Sequence, residues 1–426
     1  MNADSPGARR SQRRMAPALG RPHSRIKTSY FILEGLNALA TAYYFNYLFF
    51  YMREHFGFGN RNNLLITALY GFLYMFSAWY AGRIAQKYGY MRMLRFGFAG
   101  MAISMALGGL IPFAFGFSKT ALGAELVILA LWTIAMCFTW PMLQSLVSQG
   151  QSPGEIPRTA GIYNIVWATC AAFAYLTGGA LFDWLGGEIV VFWLPAGLHL
   201  FQLALLVQMQ KFSVATIAIP VAPAPAVETV SELNPRPIAK ARVFLLLAWI
   251  ANPFAYVAIY GIVPVIPKLS EHLGLTDTAA GIVCSVWLWT RLAAFVWFWL
   301  WPGWHYRFRW LLGAFIALIG SFGVILLIPH IWTLVLAQII FGLAVGLIYY
   351  SSLYYSMDSG ASKSKEGGIH EAAIGMGVFL GPTVGVVALR TFPNSPNAGT
   401  WNIGGLLVVG LVIFLASRMR ARLARV

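Results

Sequence analysis

Long apolar runs alternate with short polar segments along almost the whole chain. A membrane core about 30 Å thick is crossed by a helix of about 20 apolar residues, and twelve runs are of this kind. They lie at 28–51, 62–81, 93–115, 121–147, 159–182, 188–210, 242–267, 278–301, 311–328, 331–356, 369–389 and 401–417. Each run is continuous, whereas a membrane strand alternates apolar and polar residues. The pattern therefore predicts an all-α membrane protein with twelve transmembrane helices.

A segment rich in proline and alanine, at 219–237, separates the first six runs from the last six. Such a composition favours an extended linker. A plan of two six-helix sets predicts two pseudo-symmetric bundles with a site between them at the membrane midplane. The predicted domains are a disordered basic tail at 1–27, an N-terminal bundle at 28–210, a cytoplasmic linker at 211–241, a C-terminal bundle at 242–417 and a basic tail at 418–426.

Composition and charge indicate a lipid bilayer as the surroundings. The 426 residues are 59% hydrophobic and 10% charged, while soluble domains carry about 25% charged residues. The net charge of +16 comes from basic residues in tails and short loops. This pattern does not predict the basic face that binds nucleic acid. Cys137, Cys170 and Cys284 lie inside apolar runs, at spacings that fit neither a disulfide framework nor a metal site.

The distribution of lysine and arginine predicts the orientation. With both termini on one side of the membrane, twenty-four of the thirty basic residues lie on that side and five on the other. Such residues concentrate on the cytoplasmic side of membrane proteins. We therefore expect both termini in the cytoplasm and a bacterial inner membrane as the location. The one remaining basic residue, Arg291, lies inside the eighth apolar run.

Arg291 is the strongest single candidate for a functional residue. It lies far from either end of its run, where a permanently charged guanidinium needs an anion, a carboxylate or a water-filled cavity. Trp287 is one turn earlier on the same face and could stack on a ligand or on the guanidinium. We favour a cavity residue over a structural ion pair. A substrate in contact with Arg291 would carry a carboxylate, a phosphate or several hydroxyls.

The first apolar run carries a polar face. Glu34, Asn37, Thr41 and Tyr44 recur there at helical spacing. Ionisable groups inside the membrane are costly and mark proton or substrate pathways, and a carboxyl group removed from water binds a proton more readily. Glu34 is therefore a candidate proton carrier. A structural acid near the cytoplasmic rim is the alternative.

Other polar residues inside apolar runs are weaker candidates for a cavity lining. Any of them could instead satisfy a contact between helices, which is the commoner role. The candidates are Asn164, Trp167, Asn252, Tyr256, Tyr350 and Tyr354, whereas Gln144, His199 and Gln338 are interpreted as structural.

Two motifs carry a family resemblance over essentially all of residues 28–417. The stretch YAGRIAQKYGYMRMLR, at 80–95, resembles the motif G-x-L-A-D-R-x-G-R-[RK] between helices two and three of the major facilitator superfamily. In helix eleven, GVFLGPTVG resembles the G-x-x-x-G-P-x-x-G pattern of that family. The residues concerned are Gly82, Arg83, Gln86, Lys87, Gly89 and Arg92 in the first motif, and Gly377, Gly381, Pro382 and Gly385 in the second.

The resemblance implies tight helix packing and a gate at the first motif. Glycine removes a side chain where helices approach closely, so we expect such an approach at Gly82 and within helix eleven. Pro382 permits a kink in a helix that moves. Gln86 stands where the family usually has aspartate, and the gate therefore lacks its usual acid.

Glu371 is predicted to replace that acid. The pattern places it in the first turn of helix eleven, at the end that the family layout brings near the 82–95 loop. We expect Glu371 to pair with Lys87 or Arg92 when the carrier opens outward. The alternative is a first-turn acid that only interacts with the helix dipole.

No pattern in the sequence indicates an enzyme or an ATP-driven pump. HEAAI, at 370–374, lacks the second histidine of a zinc motif, and no P-loop occurs. We expect no cofactor and no metal. The sequence predicts a secondary transporter that moves a small organic solute by alternating access, with protons as the coupling ion, and that functions as a monomer. An uncoupled facilitator and a transport-inactive receptor or scaffold on the same fold are the alternatives.

Overall fold

A computed structural model describes residues 20–149, 156–216, 235–358 and 363–423. Over these ranges the chain forms fifteen α-helices joined by short turns. The N-terminal half contains α1 (Gly20–Phe56), α2 (Asn60–Tyr88), α3 (Tyr90–Phe115), α4 (Lys119–Met136), α5 (Trp140–Ser148), α6 (Ile156–Leu185) and α7 (Leu194–Thr216). The C-terminal half contains α8 (Pro235–Ile262), α9 (Ile266–His272), α10 (Asp277–Cys284), α11 (Val286–Leu300), α12 (Phe308–Leu327), α13 (Ile331–Asp358), α14 (Lys363–Thr391) and α15 (Ala398–Leu423).

Eleven stretches of the described chain are helical, long and apolar enough to cross a membrane. They coincide with the second to the twelfth predicted runs. The first run lies in α1, which is not among the eleven. Protein surrounds most of α1, with Leu33, Tyr47 and Phe49 fully buried. Its polar residues and tyrosines therefore face other helices, and a helix of this kind needs less apolarity than one that faces lipid. A twelfth span there stays a prediction.

Four of the predicted helices contain an irregular turn. The fourth run divides into α4 and α5 at 137–139, just before Pro141. The seventh contains a 3₁₀ turn at Pro264, between α8 and α9. The eighth is interrupted at Ser285, and the sixth begins with a π-helical turn at Ile189–Trp193. Proline has no backbone N–H to continue the helical ladder, which accounts for the first two interruptions.

Helix boundaries differ from the predicted ones in three places. α1 begins at Gly20, inside the predicted tail, and α14 begins at Lys363 instead of near residue 369. The predicted linker, 211–241, contains the end of α7 and the beginning of α8. The rest of that linker and of the N-terminal tail lies outside the described residues. Charged and small residues continue these helices beyond their apolar runs, so apolarity alone underestimates their length.

The predicted loop at 82–95 is almost entirely helical. α2 ends at Tyr88 and α3 begins at Tyr90, so Gly89 alone joins them, with φ of +89°. Glycine adopts such a φ without the steric cost of a Cβ. A Cβ on Gly82 would meet no atom within 4 Å. The expectation of tight packing at Gly82 is therefore wrong.

The two halves meet along two seams. α2 packs against α14, while α6 packs against α10 and α11. In the first seam the backbones nearly touch. A Cβ built on Gly71 would lie 2.5 Å from the backbone nitrogen of Phe379, and one on Gly375 would lie 2.6 Å from the Cα of Met75. Small residues permit this approach between membrane helices, and a cavity lies between the two seams.

Polar contacts connect the halves at one end of the bundle. We name this the far end, where α1 ends, and we name the opposite end, where α2 meets α3, the basic end. At the far end Arg53 of α1 binds Asp277 of α10 at 2.9 Å. Nearby, the backbone nitrogen of Thr278 donates to Asp183 of α6 at 2.9 Å. The halves are thus hydrogen-bonded to each other on the far side of the cavity.

Candidate functional site

A cavity of about 160 Å³ lies between the two halves. Helices from both halves line it, α1, α2, α5 and α6 on one side and α8, α11, α13 and α14 on the other. Two carboxylic acids, Glu34 and Glu371, and one arginine, Arg291, border the same space. Nearly half of the other lining residues are aromatic, namely Phe45, Tyr70, Tyr74, Trp140, Tyr163, Trp167, Tyr256, Tyr260, Trp287 and Tyr349. The cavity therefore combines charge with broad apolar surfaces, as small-molecule sites do.

Arg291 is enclosed by aromatic rings. Its guanidinium carbon lies 4.7 Å from the ring centre of Trp167, 5.0 Å from that of Tyr349 and 5.4 Å from that of Phe295. Each ring presents a cation–π contact. Trp287 borders the cavity as predicted, but the rings over the guanidinium come from other positions.

The positive charge of Arg291 has no counter-ion in the described part of the chain. The ion pairs there join other residues, and the Nε and Nη2 atoms of Arg291 have no hydrogen-bond partner among the described groups. Tyr256 interacts with the guanidinium from α8. The side chain is only 4% exposed. Because an unpaired buried charge is costly by several kcal/mol, this site is suited to an anion.

Glu34 borders the cavity from α1. Its side chain is 1% exposed, and its Oε2 has no hydrogen-bond partner among the described residues. Tyr163 of α6 faces it and interacts with it. Thr41 lies two turns further along α1 on the same cavity wall. A buried carboxyl oxygen without a partner requires a proton or a water molecule.

Glu371 connects the two halves across the cavity. It belongs to α14 in the C-terminal half and is 4% exposed. Tyr74 of α2 donates its hydroxyl to Oε2 at 2.5 Å, and Gln144 of α5 donates Nε2 to Oε1 at 3.5 Å. Both donors come from the N-terminal half. Gln144, interpreted from the sequence as structural, therefore belongs to the cavity wall.

The predicted partners of Glu371 are not its partners in this conformation. Because α14 begins at Lys363, Glu371 lies in the third turn of the helix and not in the first. Neither Lys87 nor Arg92 forms a salt bridge with it. The residues of the first motif that are exposed at the basic end are Arg83, Gln86, Lys87, Gly89 and Arg92. Pairing with them in an outward-open state stays a prediction.

Two glycines of the second motif, Gly377 and Gly381, face α8 within the C-terminal half. A Cβ on Gly377 would collide with the carbonyl oxygen of Pro253, and one on Gly381 would lie 2.8 Å from that of Val257. Both neighbours belong to α8, so the motif lets α14 approach α8 closely. The other two residues of the motif, Pro382 and Gly385, lie further along the same helix.

Three predicted asparagines are buried but do not border the cavity. Asn37 donates its Nδ2 to Thr139 at 3.0 Å and so connects α1 to the turn before α5. Asn164 accepts a hydrogen bond from Trp167 Nε1 at 3.0 Å. That bond orients the indole ring that lies over Arg291. The third asparagine, Asn252, lies on α8 without a hydrogen bond to any described residue.

Two predicted tyrosines of α13 lie outside the cavity, and their neighbour lines it instead. Tyr350 and Tyr354 pack against Trp304, with ring centres 5.8 and 5.4 Å away. Tyr349 is the residue that borders the cavity. Side chains at adjacent positions of a helix point about 100° apart around its axis. A helix face that is chosen one residue off therefore identifies the wrong tyrosine as the lining residue.

Glu125 is a buried acid that the sequence argument missed. It lies on α4, outside the cavity lining, and is 2% exposed with no partner for Oε1 among the described residues. Tyr44 and Tyr51 of α1 are within its electrostatic influence. Its position inside the fourth apolar run could have identified it. Tyr74 and Tyr163 were harder to find, because nineteen tyrosines occur in the chain.

Comparison with known proteins points to one family. A family model described as Major Facilitator Superfamily matches residues 30–367. A bacterial homolog of the human lysosomal transporter Spinster, in an inward-facing and unoccupied conformation, superposes with a TM-score of 0.63 and 14% identity, covering 96% of this chain and 98% of that one. A variant of the nucleoside transporter NupG superposes with a TM-score of 0.59 and 16% identity, covering 92% and 99%. A search of curated proteins found no match.

Proposed function

The chain belongs to the major facilitator superfamily, and we propose that it is a proton-coupled secondary transporter that moves a small organic solute by alternating access between its halves. A solute transporter is what the family and both structural neighbours support. One observation carries the finer proposal. Glu34, Arg291 and Glu371 come from both halves and meet at one cavity.

The position of the cavity supports alternating access. Each half contributes one wall of the cavity. A rotation of one half against the other therefore changes the side to which the cavity opens, while the residues within each wall keep their arrangement. On the far side of the cavity, Arg53 and Asp183 hold the halves together through Asp277 and Thr278. These polar contacts lie beside a close approach of α6 to α10, and alternating access requires both to separate when the far end opens.

The two acids support proton coupling. Glu371 accepts hydrogen bonds from Tyr74 and Gln144 of the other half. Protonation of a carboxylate weakens it as an acceptor, so a proton on Glu371 loosens a contact between the halves. Glu34, whose Oε2 has no partner in the described part of the chain, supplies a second proton site in the same cavity. Binding of a proton and movement of the halves are therefore linked.

A transport experiment tests the proposal. A screen for compounds that raise the melting temperature of the purified protein identifies a ligand, which is then labelled and offered to proteoliposomes with an imposed pH gradient. A coupled transporter accumulates the ligand above its external concentration, and a protonophore abolishes the accumulation. An uncoupled facilitator only equilibrates the ligand, and a receptor binds it without uptake.

Variants of the acids identify the coupling residue. We expect Glu34→Gln or Glu371→Gln to keep ligand binding but to lose accumulation driven by the pH gradient. Glu271→Gln is the matched control, because Glu271 is exposed and pairs with Lys268 on the same short helix. Full accumulation in both acid variants would refute the coupling role, and equilibration by the wild type would establish the facilitator.

A further inference from the structure

We infer that the solute of this cavity is an organic anion, with a carboxylate, phosphate or similar group on Arg291 and a planar apolar body against the aromatic wall. The inference rests on the proposed function, because it takes this cavity as the solute site. It adds the chemical class of the solute and the reason for its coupling to protons.

The charge of Arg291 is the first argument. The guanidinium borders the cavity and is buried, and Nε and Nη2 have no partner in the described ranges. Its ring neighbours Trp167, Tyr349 and Phe295 stabilise the cation from their faces, but a ring supplies no anionic oxygen. A guanidinium binds a carboxylate or phosphate with two parallel hydrogen bonds. An incoming anion would therefore satisfy groups that the protein leaves unpaired.

The same charge disfavours a cationic solute. Aromatic cages that bind ammonium groups offer ring faces to the ligand, whereas here Arg291 already lies over the rings of Trp167, Phe295 and Tyr349. Glu371 already accepts hydrogen bonds from two protein donors. A cation would meet the fixed like charge of Arg291 and, at Glu371, oxygens that are already occupied. It could pair only with Oε2 of Glu34, which has no hydrogen-bond partner among the described residues.

The walls favour a flat apolar body. Tyr256 and Tyr260 lie one turn apart on α8 with nearly parallel rings, 18° between their planes and 6.3 Å between their centres. Tyr70 faces Tyr260 from the other half at 6.0 Å. These rings pack on one another and form one aromatic wall to which both halves contribute, and ring–ring contacts at that wall add to the area that a planar ligand buries.

The buried acids explain why an anion would bring a proton. A second negative charge near a carboxylate favours its protonated form. Binding of an anion therefore raises the affinity of the cavity for a proton, and by reciprocity a proton raises the affinity for the anion. The ionisable groups around the cavity are Glu34, Tyr70, Tyr74, Tyr163, Tyr256, Tyr260, Arg291, Tyr349 and Glu371, with His370 behind Tyr349.

The experiment compares ligands of one shape and different charge. Benzoate, phenyl phosphate and benzenesulfonate are the anions, benzamide is the neutral analogue and benzylamine is the cation. Binding to the purified full chain is measured by thermal stabilisation and calorimetry. We expect at least one anion to bind and the neutral and cationic analogues to bind at least tenfold more weakly. Equal binding of all five would overturn the inference.

Two variants locate the anion. Arg291→Gln is expected to weaken anion binding by at least about 30-fold, the loss typical of removing one partner of a buried charge pair. Arg309→Gln removes an exposed arginine at the start of α12 and is expected to change nothing. Anion binding that survives in Arg291→Gln would show that the site lies elsewhere and would overturn the assignment.

A pH series keeps the inference testable if Arg291→Gln does not fold. Benzenesulfonate stays ionised over the whole range, so any pH dependence of its binding belongs to the protein. We expect its affinity for the wild type to rise as the pH falls, and this dependence to shrink in Glu34→Gln or Glu371→Gln. A flat profile in the wild type would contradict the linkage. If a neutral solute is instead accumulated in proteoliposomes, the inference fails while the proposed transport function stands.

Discussion

At the scale of single residues, Glu371 is the side chain whose surroundings distinguish this protein most clearly. It is buried, it lies on one half, and its hydrogen-bond donors lie on the other. Hydrogen bonds to a charged group are worth about 1.5–3 kcal/mol. Tyr74 donates the shorter of the two hydrogen bonds, and we therefore expect it to contribute more than Gln144 to the stability of this contact.

Removal of the Tyr74 hydroxyl is expected to destabilise the protein. Tyr74→Phe leaves the ring in place and takes away the donor to Glu371, so we expect a loss of about 1.5–3 kcal/mol and a lower melting temperature in detergent. Tyr88→Phe is the control, because Tyr88 is on the same helix and 48% exposed; we expect it to change stability by less than about 0.5 kcal/mol. Equal melting of the two variants would show that the Tyr74 bond is not stabilising.

Among the secondary-structure elements, α2 and α3 are joined by a single residue. Gly89 is that residue, and φ of +89° with ψ of 136° lies outside the regions that other residues adopt readily. The orientation of α2 relative to α3 therefore depends on the backbone dihedral angles of this one residue.

The two glycines of this motif are expected to respond to alanine in opposite directions. Gly89→Ala should destabilise the protein by about 1–3 kcal/mol, because the new Cβ meets a disfavoured backbone conformation. Gly82→Ala should stabilise it by up to about 1 kcal/mol, since the site is helical and has open space around it. The melting temperatures of the two variants and of the wild type are measured in one detergent. A higher melting temperature for Gly89→Ala than for Gly82→Ala would contradict the prediction.

The elements and the site differ in how far the sequence predicts them. The spans are predictable because a helix that crosses lipid needs a long apolar run. The break at Pro264 depends on local turn chemistry within an apolar run, and it was missed. Arg291 was found because a charge inside such a run is conspicuous. Its ring partners, Trp167 and Tyr349, were only partly found, because aromatic residues make up 15% of the chain and fill both lipid-facing and inward-facing positions.

For the molecule as a whole, the polar contacts at the far end join the two halves. Arg53 reaches across from α1, and besides Asp277 it donates to the carbonyl oxygen of Pro267 at 3.1 Å. Asn63 of α2 donates to the carbonyl oxygen of Pro264 at 3.0 Å. The side chains of the N-terminal half thus bind the irregular turn that interrupts the seventh span.

Loss of the ion pair at this end is expected to open it. Asp277→Asn removes the charge that binds Arg53, and the distance between the halves should lengthen at the far end. Spin labels at Lys119→Cys and Asn394→Cys, in a background with the three native cysteines replaced by serine, report that distance by pulsed electron resonance. Glu271→Gln removes an ion pair within one half and should leave the distances unchanged. An unaltered distribution in Asp277→Asn would contradict this role.

The ring-enclosed guanidinium of Arg291 also has an electrical consequence. A fixed positive charge inside the bilayer lies in the field of the membrane potential, where a full crossing is worth about 2.3 kcal/mol per 100 mV. A bound anion adds one negative charge, and the proton that it brings adds one positive charge. With one proton per anion, the loaded and the empty carrier would therefore bear the same charge, voltage would act alike on both steps, and the pH gradient alone would drive accumulation. A second proton, for which the cavity has a second acid, would make the loaded carrier more positive by one charge, and the membrane potential would then help to drive the solute as well.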